Sequence, residues 1–221
     1  MTRPHAFIFD LNGTIIDDMG YHAIAWESIL NNQLKAGLSW GEVKAQMYGK
    51  NEELLVRIFG ADKFTKEEMA ALSLEKERMY QSEYKPLMKA IEGFEPFVDK
   101  ALEQGIAMGI GSAAILFNIN FILDGLDLRK YFESIVSADD VLISKPHPET
   151  FLKVAEQLGV DPQDCVVFED APKGVESAAN AGMKCVVITT MHEQKEFDSY
   201  QNILFFIEDY TDARLYKELL A

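Results

Sequence analysis

The chain has 221 residues, room for one large domain or for a domain carrying an insert. Apolar residues make up 48% of it, with aromatic and branched side chains spread throughout, which excludes a disordered chain. Thirty-six acidic residues against 21 basic ones give a net charge of −15, which repels nucleic acid and anionic lipid and serves solubility.

The N-terminal stretch Met1-Thr2-Arg3-Pro4-His5 lacks the apolar core of a secretory signal. No apolar run approaches the ~20 residues that span a bilayer. The two cysteines, Cys165 and Cys185, each open an apolar run and read as buried strand residues, not as a disulfide or a metal site. A cytoplasmic monomer is therefore expected.

In chain order, Ala6 to Phe9 is a short apolar run that empties into a polar loop, the pattern of a buried parallel strand. From there to Ile91 the pattern is helical. Ala23, Trp26, Ile29 and Leu30 recur on one face, and Ser39 with Glu42 and Thr65 with Glu68 have capping-box spacing. The last long helix of this block is expected over about Lys66 to Lys85. After Gly93 strands and helices alternate: strand Ile106 to Ile110, helix Asn118 to Leu126, strand Ser134 to Val136 and helix Pro148 to Leu158. Strand Cys165 to Phe168, helix Gly174 to Ala181, strands Cys185 to Thr189 and Ile203 to Phe206, and a closing helix Asp212 to Leu220 follow.

This order predicts an α/β fold: a Rossmann-like parallel sheet core, residues 1–16 and 92–221, with an inserted all-helical cap domain, residues 17–91. Ligands of such sheets bind beyond the carboxyl ends of the strands, where Asp10 falls. The linkers near Ile16-Asp17-Asp18 and Lys89 to Gly93 are the expected hinges.

Four pieces sit at strand ends or in the loops after them: Asp10-Leu11-Asn12-Gly13-Thr14, Gly111-Ser112, Ser144-Lys145-Pro146-His147-Pro148, and Phe168-Glu169-Asp170-Ala171-Pro172. Singly each has a bland reading. Ser112 could be a turn serine, Lys145 a solvated lysine, and Glu169-Asp170 an acidic turn. Together, in this order, with a helical insertion after the first, they are specific. The chain resembles haloacid dehalogenase-like hydrolases over nearly its whole length. It is most similar to the β-phosphoglucomutase-like branch, in which a helical cap follows the first motif. Tyr21-His22 with Ala25-Trp26, Ser144-Lys145-Pro146-x-Pro148, and Phe168-Glu169-Asp170-x-x-x-Gly174 carry the likeness.

The resemblance implies a phosphatase or phosphotransferase acting on a small phosphorylated metabolite, with sugar phosphates among the candidates. Asp10 is then the nucleophile that forms an aspartyl-phosphate. Mg²⁺ is implied as cofactor, held by the Asp10 carboxylate, the main-chain carbonyl of Asn12 and Asp170, with Glu169 beside a metal-bound water. Thr14 and Ser112 would donate to phosphate oxygens, and Lys145 would neutralise the transferred group. An intact Glu169-Asp170 pair disfavours a dehalogenase, since halide displacement needs no metal.

Asn12 departs from the pattern, which has an Asp as general acid/base, a role worth ~10²–10⁴ in rate. Three readings stay open: a slow phosphatase, a phospho-ligand binding protein with little turnover, or a family-specific or engineered change. In the insert, Lys50 either reaches an anionic group of the substrate or is a solvated helix-start residue. His22 and Trp26 share a helical face and either line a ligand crevice or pack internally. Asn118 either contacts ligand or caps its helix, with capping favoured. His147 reads as structural.

Overall fold

The computed structural model describes residues 4–221; Met1, Thr2 and Arg3 of the N-terminal stretch lie outside the described residues. The described residues divide into two compact units. One comprises the chain up to Asp17 together with Lys89–Ala221, and the other comprises Asp18–Met88.

In chain order the elements are β1 (Ala6–Phe9), α1 (Met19–Glu27), α2 (Trp40–Ala45), α3 (Asn51–Phe59), α4 (Lys66–Tyr84), α5 (Phe94–Glu103), β2 (Ala107–Gly111) and α6 (Leu116–Gly125). They continue with β3 (Ser134–Val136), α7 (Glu149–Leu158), β4 (Cys165–Glu169), α8 (Pro172–Asn180), β5 (Lys184–Ile188) and β6 (Ile203–Ile207). All six strands form one parallel sheet in the order β3-β2-β1-β4-β5-β6, with Phe9 opposite Ile110 on one side and Phe168 on the other. The strand order reverses between β1 and β4, and in such sheets ligands bind beyond the carboxyl ends of the strands at that point.

Both sheet faces are buried, which is why the strands read as continuous apolar runs rather than alternating ones. On one face Phe7, Phe9 and Phe168 pack with Phe94 and Phe97 of α5 and with Tyr210. Phe9 and Phe168 stack at 4.6 Å, and Phe7 and Phe97 at 5.4 Å. On the other, Ile8, Val167, Cys185 and Val187 pack under Phe151 and Val154 of α7 and Val175 of α8. Both cysteines are buried and free. Each fully buried aromatic or aliphatic side chain contributes roughly 1.5–3 kcal/mol.

The helical unit has its own apolar core of Trp26, Ile29, Leu30, Val43, Leu54, Leu55 and Leu72. Ser39 with Glu42 and Thr65 with Glu68 close as reciprocal capping boxes at the starts of α2 and α4.

Three local expectations need correction. The helical pattern does not run to Ile91: it ends at Leu87, because Ile91 N–H bonds the Ile15 carbonyl at 2.8 Å and Ala90 pairs with Ile16 in extended form. The last helix does not begin at Asp212, whose carboxylate accepts from the Arg214 amide at 2.9 Å and so caps the turn from outside; its regular part is a wide, π-type Leu215–Leu219. Asn118 does not cap α6. The cap position is Ile115, and Asn118 is a buried residue of the first turn. No helix among the described residues is long and apolar enough to cross a membrane.

Candidate active site

Asp10 is the first residue beyond β1, and its amide bonds the Phe168 carbonyl of β4 at 2.9 Å. That bond ties the β1 exit to the strand across the switch point. The chain then turns tightly: Ile15 N–H bonds the Leu11 carbonyl at 2.9 Å and Gly13 N–H bonds the Ile16 carbonyl at 2.7 Å. Gly13 has φ +76°, in the left-handed region, and a Cβ there would fall 2.1 Å from Asp170 Oδ2. Only glycine allows both the turn and the approach of Asp170. Two distant side chains hold this loop. Thr190 Oγ1 donates to the Gly13 carbonyl at 2.6 Å, and the Tyr210 hydroxyl donates to the Thr14 carbonyl at 3.0 Å.

From β4 come Glu169, its last residue, and Asp170, the next. Asp10, Glu169 and Asp170 each place a carboxylate oxygen within 4.8 Å of the others, and all three are buried. Glu169 is fully engaged. Its Oε2 accepts from the amides of Asp170 at 2.8 Å and Ala171 at 2.7 Å, and its Oε1 accepts from Lys145 at 2.9 Å. A Cβ at Gly174 of α8 would sit 1.7 Å from Glu169 Oε1, so the glycine of the fourth motif makes room for this carboxylate.

Lys145 lies on the loop before α7 and donates to Asp10 Oδ1 at 2.7 Å as well. Its loop is pinned to α8, where Ser177 donates to the His147 carbonyl at 2.8 Å and Asn180 to the Pro146 carbonyl at 2.9 Å. His147 therefore serves the loop through its main chain. Thr14 Oγ1 is 3.4 Å from Asp170 Oδ1. Ser112 is the first residue beyond β2, the strand beside β1; its amide bonds the Val136 carbonyl and its Oγ accepts from Ala114 N–H at 3.1 Å.

Burial sets the electrostatics. It pushes the Asp10 carboxyl up to about 6, against the pull of the Lys145 ammonium and with the push of the Glu169 charge. Burial, then repulsion from Glu169 and Asp10, raises Asp170 well above the ordinary carboxylate range. Burial alone would lower Lys145, but the Asp10 and Glu169 charges outweigh it and hold the ammonium above its ordinary value. Three buried carboxylates against one ammonium form an anion-rich oxygen set, which suits a hard divalent cation. Asp10 and Asp170 have the freer oxygens for direct ligation, whereas Glu169 is committed to two amides and Lys145.

The structure thus brings Asp10, Thr14, Lys145, Glu169 and Asp170 into one cluster, with half-buried Asn12 in the same loop and Ser112 just beyond the neighbouring strand. Asn118 lies buried on α6 of the same unit. The remaining expected substrate contacts belong to the helical unit. Trp26 is buried in that unit's apolar core, His22 in a charged cluster, and Lys50 occupies the cap position of α3, half-buried, with its amide on Glu53 Oε2 at 3.0 Å. Sequence reading missed Thr190, Tyr210, Ser177 and Asn180. Each bonds to a carbonyl 30 or more residues away, a pairing with no local signature.

Comparison with known proteins places the chain in a family. The family model for haloacid dehalogenase-like hydrolases matches residues 7–188, from β1 to the end of β5. The chain is 34% identical over 194 residues to the fructose-1-phosphate phosphatase YqaB of Escherichia coli, covering 83% of this chain and 96% of that one. It is 31% identical over 194 residues to the β-phosphoglucomutase of Bacillus subtilis, covering 82% of this chain and 81% of the other. The crystal structure of a β-phosphoglucomutase from Clostridium difficile superposes with a TM-score of 0.83 at 26% identity, over 98% of this chain and 99% of that one. The family model covers most of the chain and a relative at 34% identity spans 83% of it, so this chain belongs to the haloacid dehalogenase-like hydrolases.

Proposed function

We propose that the chain is a Mg²⁺-dependent phosphatase or phosphotransferase of a small sugar phosphate, acting as a cytoplasmic monomer through a phosphoryl group carried on Asp10. The observation that carries this reading is the Asp10–Lys145–Glu169–Asp170 cluster at the sheet's switch point. The phosphatase and phosphomutase names of the relatives support it.

In the first step an Asp10 carboxylate oxygen attacks phosphorus, and the bond from phosphorus to the sugar oxygen breaks. The departing oxygen takes a proton. In the second step water, or a second sugar hydroxyl, attacks phosphorus, loses its proton and frees the Asp10 carboxylate. Asp10, Asp170 and the main chain at Asn12 would hold Mg²⁺, which supplies positive charge against the repulsion between carboxylate and phosphate. Lys145, kept charged by its two carboxylate partners, neutralises charge on the transferred group. Glu169 positions Lys145, and Thr14 and Ser112 offer hydroxyl donors to phosphate oxygens.

Asn12 sets the limit of the chemistry. An amide neither gives nor takes a proton usefully near neutral pH, so the leaving oxygen and the attacking water exchange protons with solvent. Turnover is accordingly slow on alkyl esters and less impaired on esters whose leaving groups depart unaided. The test is phosphate release from a panel of sugar phosphates, with Mg²⁺ and with EDTA, by the parent and by Asp10→Asn. The reading expects release that requires Mg²⁺ and vanishes in Asp10→Asn. Release that persists in EDTA or in Asp10→Asn would overturn it.

A further inference from the structure

Three consecutive peptide groups in the loop after β1 are each held by a hydrogen bond. The Gly13 N–H bonds the Ile16 carbonyl at 2.7 Å, which through the planarity of the peptide fixes the direction of the Asn12 carbonyl. The Gly13 carbonyl accepts from Thr190 Oγ1 at 2.6 Å, and the Thr14 carbonyl accepts from the Tyr210 hydroxyl at 3.0 Å. Thr190 stands in the segment after β5 and Tyr210 in the segment after β6, so both donors come from outside the loop.

Tyr210 is itself firmly placed. It is fully buried, with its ring against Phe94 at 5.1 Å and Phe97 at 5.7 Å. Its amide bonds the Glu92 carbonyl at 2.9 Å. A Cβ at Gly93 would fall 2.7 Å from the Tyr210 carbonyl carbon, so only glycine lets the linker lie against this backbone. The same linker reaches the loop directly, where Ile91 N–H bonds the Ile15 carbonyl at 2.8 Å. Burial, then the Asp10 and Asp170 charges, push the phenol well above its ordinary value, so it stays a neutral donor.

A small shift of this loop has a direct consequence at the carboxylates. Asp170 lies against Gly13, where a Cβ would fall 2.1 Å from Asp170 Oδ2, and Thr14 Oγ1 is 3.4 Å from Asp170 Oδ1. Glycine has the most backbone freedom to lose, so the loop needs outside anchors to keep one geometry. We infer that Thr190 and Tyr210 are positioning residues. Through the Gly13 and Thr14 carbonyls they set the spacing of Asp10, the Asn12 main chain and Asp170, the groups that would hold Mg²⁺. The inference rests on the phosphoryl-transfer reading above.

Calorimetric titration of the full chain with Mg²⁺ tests it, alongside thermal melting of the metal-free protein. Thr190→Val keeps the side-chain shape and removes the donor; Tyr210→Phe keeps the ring and removes the donor. Each should weaken Mg²⁺ binding by about tenfold, the lower end of what losing a partner that orients metal ligands costs. Thr190→Ser retains a hydroxyl and should keep the parent affinity. A lowered Tm with parent-like Mg²⁺ affinity in Thr190→Val and Tyr210→Phe would show that the hydroxyls serve stability alone, and would overturn the inference. Affinity lost equally in Thr190→Ser and Thr190→Val would overturn it too. A parent that binds no Mg²⁺ would instead overturn the proposed function, and this inference with it.

Discussion

At the scale of single residues, the site depends on two glycines as much as on its carboxylates. Gly174 has ordinary helical surroundings, so alanine there would favour α8 itself by ~1 kcal/mol. Its Cβ would nevertheless overlap the Glu169 carboxylate. We expect Gly174→Ala to displace Glu169 from the Asp170 and Ala171 amides, free Lys145 from one partner, and weaken Mg²⁺ binding by ~10–100-fold. Calorimetric titration checks this; parent-like affinity would mean that Glu169 has no part in organising the metal-binding oxygens. Asp10, Lys145, Glu169 and Asp170 were legible in the sequence because each stands in a fixed motif, three of them at strand ends and Lys145 in the loop before α7. Thr190 and Tyr210, which hold the loop after β1, were not, because a hydroxyl aimed at a carbonyl 177 or 196 residues away leaves no pattern in the chain.

At the scale of elements, legibility followed locality. The capping boxes at Ser39 and Thr65 join residues three apart and show in the sequence as they show in the structure. The start of α6 did not, because the group that receives its Leu116 amide is Asp139, 23 residues on, at 2.9 Å. Asn118 was the better local candidate and lost to a partner brought by the fold. The charged cluster around Lys76 was hidden likewise, since His22 and Lys76 lie 54 residues apart. Thr65→Ala should remove one hydroxyl cap and destabilise the start of α4 by ~1 kcal/mol. Amide exchange in the first turn of α4 should rise in proportion, while Mg²⁺ affinity, set by residues of the other unit, stays at the parent value. Unchanged exchange would show that tertiary packing alone holds that helix end.

At the scale of the whole molecule, folding buries acidic groups at a cost that depends on pH. The folded Asp10 carboxyl titrates at about 6 against an ordinary value of 3.8. Between those values the folded state binds more protons than the unfolded one, so stability falls as pH rises through that window. Asp170, raised in the same direction, extends the loss upward. A divalent cation replaces the missing protons. The rise in Tm on adding Mg²⁺ should thus be small near about pH 4, grow as pH passes through about 6, and be reduced throughout in Asp170→Asn. A rise in Tm that is independent of pH would place the ion elsewhere.

The most direct test of the whole account is the turnover of Asn12→Asp beside that of the parent, on matched alkyl and aryl phosphates. If the crevice is a phosphoryl-transfer site lacking only its proton donor, the substitution should raise turnover by up to ~10²–10⁴. The gain should be larger for alkyl phosphates, whose leaving oxygen must be protonated, and Mg²⁺ affinity should barely change, because the proposed ligand at position 12 is its main-chain carbonyl. Asp10→Asn should silence both forms. Equal, near-zero turnover of the parent and Asn12→Asp across the panel would contradict the account and leave a crevice that binds phosphate esters without cleaving them.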